Sequence, residues 1–257
     1  MRADLYLFQM CFVKSRQKAK FLIEEGNVKI DGLTVTKSSA DINEALEHTV
    51  EIKDTCPYVS RGGLKLEGLL KLSKFDVNNK ICVDIGASTG GFTHCLLLNG
   101  AKRVYAIDSG TDQLASELKN DNRVASIENF NARELSLEVL GEKADIVTID
   151  VSFISQNHII PRAAEILTDG GVYLSLIKPQ FEVGKANVGK GGIVKDKHAR
   201  LNGVMSVIDC AAACGLICLA FDKSPIQGGD GNTEYIAVFA KNGTALDRTK
   251  IKKIVLE

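Results

Sequence analysis

No run of apolar residues is long enough to cross a bilayer, which excludes a membrane-spanning helix. The opening stretch MRADLYLFQMCFVKSRQ lacks a secretory pattern, because charges interrupt its short apolar part, so the cytoplasm is the expected compartment. Excess charge is also missing. The 32 Lys and Arg balance 32 Asp and Glu, so any affinity for nucleic acid has to come from a local patch. No C-x-x-C pair occurs. The seven cysteines, at 11, 56, 82, 95, 210, 214 and 218, are scattered, which argues against both a zinc site and a disulfide framework. They read as small core hydrophobes, and no metal is expected. What remains, with 45% hydrophobic and 25% charged residues among 257, is a soluble globular chain of one large or two modest domains.

The chain is organised around residues 81–108, ICVDIGASTGGFTHCLLLNGAKRVYAID. Residues 81–85 suit one buried strand, Gly86 to Gly91 form a glycine-rich turn, 92–98 read as a helix and 103–107 as a second strand ending in Asp108. This is half of a nucleotide-binding unit. Glycine lets the backbone approach a ligand because no Cβ intervenes. The carboxylate of Asp108, about 20 residues after the turn, is placed to accept from a ribose diol. The dinucleotide fingerprint G-x-G-x-x-G is absent; Asp84-x-Gly86-x-x-x-Gly90-Gly91 suits a ligand without pyrophosphate. S-adenosylmethionine is such a ligand, with Asp84 holding water or the ammonium near the turn. The alternative is a glycine-rich turn in some other βαβ unit.

Residues 1–54 read as a separate unit. A helical pattern covers 2–12, Ser15 caps a helix over 16–25, and Asp31-Gly32 joins strands 28–30 and 33–35 in a hairpin, with a last strand at 50–52. Lys14, Arg16, Lys18 and Lys20 gather cations at a helix start, either an anion-binding surface or a solvated face. The pattern S-R-x-x-A-x-x-L-I-x-x-G-x-V-x-I-D-G from Ser15 to Gly32 resembles the RNA-binding domain shared by ribosomal small-subunit protein four and pseudouridine synthases. That resemblance implies RNA contacts from Lys14, Ser15, Arg16, Lys18, Lys20 and Arg61.

A linker is expected at 55–60, a catalytic domain at 61–244 and a tail at 245–257. Within the second domain an amphipathic helix covers 61–72, where Lys65 reads as a surface lysine. Strands follow at 124–127, 144–149, 172–177, 216–221 and 234–240, with helices at 114–118, 154–167 and 196–214 and a loop rich in Gly and Lys at 183–195. Asn131, after the third strand, is either a turn asparagine or an adenine-facing group. Such alternation predicts a parallel sheet with helices on both faces and ligands at the carboxyl strand ends. Asp84, Asp108, Asp150 and Lys178 all fall at or just past those ends.

Methyl transfer to a ribose hydroxyl is an in-line displacement on a sulfonium, and the hydroxyl must share its proton with a base. A lysine serves as base when a neighbouring cation or desolvation favours its uncharged form. Lys178 is the candidate, with Lys65, Asp150 and Glu234 able to complete a set of two amines and two acids. The catalytic part resembles FtsJ/RrmJ-type 2′-O-ribose methyltransferases, and the whole chain resembles the TlyA (hemolysin A) family of rRNA cytidine 2′-O-methyltransferases. The blocks are Tyr58 to Leu66, Val83 to Thr93, Asp150 to Ile154, Ile177 to Glu182, Val188 to Gly192 and Gly231 to Tyr235.

The resemblance implies an α/β, Rossmann-like, S-adenosylmethionine-dependent methyltransferase with a mostly parallel seven-stranded sheet, preceded by a small α+β RNA-binding domain. It implies a catalytic tetrad of Lys65, Asp150, Lys178 and Glu234. The donor contacts it implies are Asp84, Gly86, Ser88, Thr89, Gly90, Phe92, Asp108 and Asn131. The partner is ribosomal RNA or an assembled subunit, 23S more than 16S because the chain ends close around its two domains, as in the shorter members. One departure is Cys56-Pro57-Tyr58-Val59, where some members carry a basic-aromatic tetrapeptide. The alternatives are a non-catalytic RNA-binding assembly factor and a membrane-active hemolysin; nothing in the sequence supports the latter.

Overall fold

Ser15 shows how the first unit starts. Its hydroxyl accepts the Lys18 amide at 3.1 Å, satisfying one of the free N–H groups at the start of a helix. The computed structural model describes all residues except 14, 54, 55, 229 and 230. It divides into two compact units, Met1–Arg61 and Gly62–Glu257, so residues 56–60, expected as linker, fall with the first. In that unit α1 (Ala3–Gln9) and α2 (Arg16–Glu24) bury Leu7, Leu22 and Ile23 against a small sheet. Strands β1 (Val28–Ile30), β2 (Leu33–Thr34) and β3 (Val50–Ile52) lie antiparallel in the order β2-β1-β3. Asp31 and Gly32 both take positive φ, 52° and 77°, as a tight hairpin requires. Helix α1 is shorter than its apolar pattern, because Cys11 turns to φ 59°.

The second unit runs α3 (Gly62–Ser73), β4 (Ile81–Ile85), α4 (Gly91–Leu98), β5 (Arg103–Ile107), α5 (Ser116–Lys119) and β6 (Val124–Ile127). It continues through α6 (Leu137–Leu140), β7 (Ala144–Ile149), α7 (Ile160–Ile166), β8 (Leu167–Ile177) and α8 (Pro179–Glu182). It ends with α9 (Lys197–Ala213), β9 (Ile217–Lys223), β10 (Tyr235–Ala240) and α10 (Arg248–Leu256). The seven strands lie in the order β6-β5-β4-β7-β8-β10-β9. From β6 to β8 they are parallel, and β10 is antiparallel to both its neighbours. The inner strands are buried along nearly their whole length because helices cover both faces, and their side chains are mostly apolar.

The chain leaves β4 toward β5 and β6, then returns to place β7 on the other side of β4. That reversal opens a crevice at the carboxyl ends of β4 and β7, where such sheets bind ligands. Three expectations change here. Residues 154–167 form a short turn and then α7, because Pro161 lacks the N–H that a position beyond the first helical turn would use. The strand expected at 172–177 starts earlier, at Leu167, and takes in Gly170-Gly171. Residues 245–257, expected as a tail, contain α10, whose Ile251 and Val255 are buried in the main core, each worth about 2 kcal/mol by area. Among the described residues no helix is long and apolar enough to cross a membrane.

Candidate active site

Where β4 ends, the glycine-rich turn is stitched to the end of β5: the amides of Gly86 and Ala87 both donate to the Ile107 carbonyl, at 2.9 and 3.0 Å. Gly86 has φ +84°, and a Cβ there would collide with the carbonyl oxygen of Asp150. Only glycine lets the β4 turn and the β7 end come this close. Gly90 (φ +93°) opens α4, with Leu114 and Leu118 packed where a Cβ would stand. Asp108 accepts the Ser88 amide on one oxygen and the Gly110 amide on the other, both at 2.7 Å, which fixes its carboxylate and leaves further lone pairs for hydroxyls. Asn131 accepts the Arg133 amide at 3.2 Å, leaving its side-chain NH₂ to donate.

Gly86, Ser88, Asp108 and Asn131 line one cleft of about 290 Å³, together with Asp150, Ser152 and Phe153. Thr89, Gly90 and Phe92 do not line it. Nor does Asp84, which the sequence placed against the donor: its side chain is wholly buried between α4 and β7. Thr93 donates to it at 2.7 Å, and the Thr148 hydroxyl stands 3.1 Å from its other oxygen. Burial, opposed by these hydrogen bonds, raises its pKa to about 7. A carboxylate in the middle of a fully buried strand faces helix and sheet, not solvent.

The loop after β5 is held by Glu128. Its carboxylate accepts the successive amides of Asp112, Gln113 and Leu114 at 2.9, 2.8 and 3.0 Å and meets Lys119 at 3.2 Å. These donors hold its pKa near 2. The cleft's adjoining Ser109 belongs to that loop.

The four tetrad candidates form two ion pairs. Lys178, at the end of β8, stands 2.6 Å from Asp150 and donates to the Ser152 hydroxyl at 3.1 Å. Lys65, on α3, stands 2.5 Å from Glu234, just ahead of β10, and that pair is buried, with side-chain exposures of 11% and 3%. A buried lysine of this kind needs a partner. Lys65, Lys178 and Glu234 line a second pocket of about 400 Å³, which shares Ser152 and Phe153 with the first. Asp150 therefore lies on the first pocket and reaches the second through Lys178.

Sequence reasoning missed several residues here. Phe153 is 93% exposed with φ 65°, a costly conformation for a bulky side chain, and its ring lies 5.3 Å from that of Phe181. Gln156 is buried and bonds the Leu176 carbonyl and the Ser175 hydroxyl, both at 2.6 Å. Glu182, raised above the usual carboxylate range by burial, accepts from the Ser155 hydroxyl at 2.5 Å and the Gln156 amide at 3.0 Å. Together they tie the loop after β7 to the elements bearing Lys178. Ser152, Phe153 and Glu182 fall within the family blocks and so carried some signal in the sequence; Gln156 carried none.

In the first unit the expected RNA-facing cations are mostly engaged. Arg16 meets buried Asp4 at 2.9 Å, which Arg2 also holds. Lys18 donates to the carbonyls of Cys56 and Tyr58 at 3.3 Å each. Arg61 lies over the Phe21 ring and 3.6 Å from Glu25; Lys20 is exposed, 3.7 Å from Glu24. Ser15 is a helix cap, and Lys14 lies outside the described residues. Among the described residues no cluster of three or more His, Cys, Asp or Glu is placed to hold a metal.

The FtsJ-like methyltransferase description matches residues 58–241, and the S4 domain description matches residues 1–45. Hemolysin A of Brachyspira hyodysenteriae is 42% identical over 240 residues, covering 93% of this chain and 99% of that protein. The 16S/23S rRNA (cytidine-2′-O)-methyltransferase TlyA of Mycobacterium tuberculosis is 41% identical over 234 residues, 91% of this chain and 87% of that one. The 23S rRNA (cytidine-2′-O)-methyltransferase TlyA of Campylobacter jejuni is 34% identical over 261 residues, 94% and 100%. The methyltransferase fold implies S-adenosylmethionine, and the Gly86 cradle beside a fixed Asp108 carboxylate fits that donor. The chain belongs to the FtsJ-like methyltransferase family, with an S4 domain ahead of the catalytic one.

Proposed function

We propose that this protein methylates the ribose 2′-oxygen of a cytidine in ribosomal RNA, 23S before 16S. The observation that carries the reading is the pair of adjoining pockets, one beneath the glycine-rich turn and one between two amine–carboxylate pairs. The relatives' names support the substrate: both TlyA names include 23S rRNA, and one adds 16S. S-adenosylmethionine, when bound, supplies the methyl group. Gly86, Ser88, Asp108 and Asn131 would hold it, with the Asp108 carboxylate able to accept from its ribose hydroxyls.

Lys178 takes the proton of the attacking hydroxyl, with Asp150 and Ser152 aiming its amine. The second amine, Lys65, is fixed by Glu234 on the same pocket and stands beside the acceptor. Phe153 and Phe181 offer an apolar, aromatic rim on which a nucleobase can stack. The S4 domain holds the RNA, and a ribosomal substrate puts the reaction in the cytoplasm.

Lys178→Ala is expected to abolish methyl transfer while rRNA binding persists; undiminished turnover would remove Lys178 from the mechanism. Mapping 2′-O-methylcytidines in ribosomes from cells with and without the protein identifies the target, and an unchanged map would overturn the proposed function.

A further inference from the structure

The two pockets differ in how their walls are held. The donor cleft is built from strand ends and the turns stitched to them. One wall of the acceptor pocket is Val188 and Gly192, in the loop between α8 and α9. Glycines at 184, 191 and 192 there take positive φ, and the loop folds back on itself through Gly189–Ile193 and Gly192–Gly189 backbone bonds.

Among the described residues, two side chains from outside the loop hold residues 188–195. Arg200 donates to the carbonyls of Val194 and Lys195 at 2.9 and 3.4 Å. Asn232, only 3% exposed, uses both ends of its amide: it donates to the Gly192 carbonyl at 2.9 Å and accepts the Val194 amide at 3.1 Å. It thus pairs with the loop as a strand neighbour would. Asn232 stands two residues before Glu234, and its own carbonyl accepts the Gly228 amide at 3.1 Å. A Cβ at Gly228 would come within 2.7 Å of the Glu234 carboxylate, so Gly228 packs on the acid that pairs with Lys65.

We infer that Asn232 is a positioning residue for the RNA side of the reaction: it docks the 188–194 loop onto the Glu234 turn and so sets the wall against which the acceptor nucleotide lies. Neither Asn232 nor the loop lines the donor cleft, so the effect separates by substrate. This role in turnover rests on the proposed RNA methylation; the state of the loop does not.

The test compares the full-length wild type with Asn232→Ala and Asn232→Asp, the latter keeping the acceptor for Val194 and losing the donor to Gly192. Amide exchange at Val194 is expected to quicken about tenfold or more in Asn232→Ala and less in Asn232→Asp. S-adenosylmethionine binding by calorimetry is expected to stay within about twofold of wild type, while kcat/KM for rRNA falls about tenfold or more in Asn232→Ala. Wild-type exchange at Val194, or wild-type kcat/KM for rRNA, would overturn the inference, and so would equal losses toward donor and RNA. Should Asn232→Ala fail to fold, Asn232→Asp decides by the same readouts. If the wild type methylates no rRNA, the function proposed above fails, and exchange at Val194 still decides whether Asn232 holds the loop.

Discussion

Replacing Asp84 by Asn tests the reasoning about the heart of the fold. The Thr148 hydroxyl has one proton and two acceptors in reach, the Val83 carbonyl at 3.3 Å and Asp84 at 3.1 Å. A protonated Asp84 resolves the conflict: it donates to Thr148, Thr148 donates to Val83, and Thr93 donates to the other carboxyl oxygen. Neutral Asp84 therefore fits, and ionised Asp84 leaves one contact without a proton. The pKa of about 7 in the folded protein lies above the usual 3.8, so the folded state binds the proton more tightly than the unfolded one. The penalty is absent well below pH 3.8, grows as pH rises toward 7 and is complete above it. At 1.36 kcal/mol per pH unit, it amounts to about 1.5 kcal/mol at pH 5 and about 4 kcal/mol at pH 8.

Asparagine has nearly the same shape and presents the same donor to Thr148 without titrating. Urea unfolding should show Asp84→Asn gaining about 2.5 kcal/mol more relative to wild type at pH 8 than at pH 5. A difference between variant and wild type that is equal at both pH values would refute the buried, late-titrating carboxyl. The variant also separates the two readings of this residue. If Asp84 held the ammonium of the donor, the change would weaken S-adenosylmethionine binding about tenfold or more, whereas a carboxyl sealed beneath the turn leaves affinity near wild type.

Other variants probe the site's periphery. Lys65→Ala strands the Glu234 carboxylate in the interior and should cost about 3–5 kcal/mol of stability by urea titration; Lys65→Ala combined with Glu234→Ala should recover part of that loss, and simple additivity would refute the pairing. Glu128 contributes stability that is present above its usual 4.5 and lost as pH falls toward 2, so acid unfolding should begin at higher pH in Glu128→Gln, with S-adenosylmethionine affinity reduced as the loop it holds loosens; an unchanged acid midpoint counts against this. Phe153→Gly should raise stability by about 1 kcal/mol, by releasing a left-handed backbone from a bulky side chain, while lowering turnover on rRNA; a loss of stability in thermal melts would mean that Phe153 is not strained.

Strand ends were readable in the sequence because two local signals coincide there. An apolar run of five or six residues marks a buried parallel strand, and the polar residue that breaks it must sit at the crevice. Asp108, Asp150 and Lys178 each follow this rule, and each reaches the site. Asp84 breaks it by lying inside the run. The partners that make its burial tolerable, Thr93 on α4 and Thr148 on β7, are 9 and 64 residues away. The partners of the α2 cations were hidden for the same reason. Four basic residues in seven read as an open patch, yet Arg16 answers a buried Asp4 and Lys18 ties down carbonyls 38 and 40 residues on. By contrast, α10 was legible and passed over: Asp247 accepts the Thr249 amide, and Ile251 and Val255 repeat at helical spacing.

The hardest part to read was the relation between the two ion pairs. Lys65 and Glu234 are 169 residues apart, and without the family resemblance Lys65 looks like any lysine on an amphipathic helix. What reveals it is the energetics of burial. A lysine with its side chain 11% exposed must be paired, and the acid that pairs it is held in turn by a strand edge and a turn. Lys178 is almost as sheltered, at 12%, but its acid and hydroxyl come from one loop that Gln156 and Glu182 brace from behind. Each amine is thus held by a different part of the sheet edge, so a change in the loop after β7 should alter Lys178 without moving Lys65.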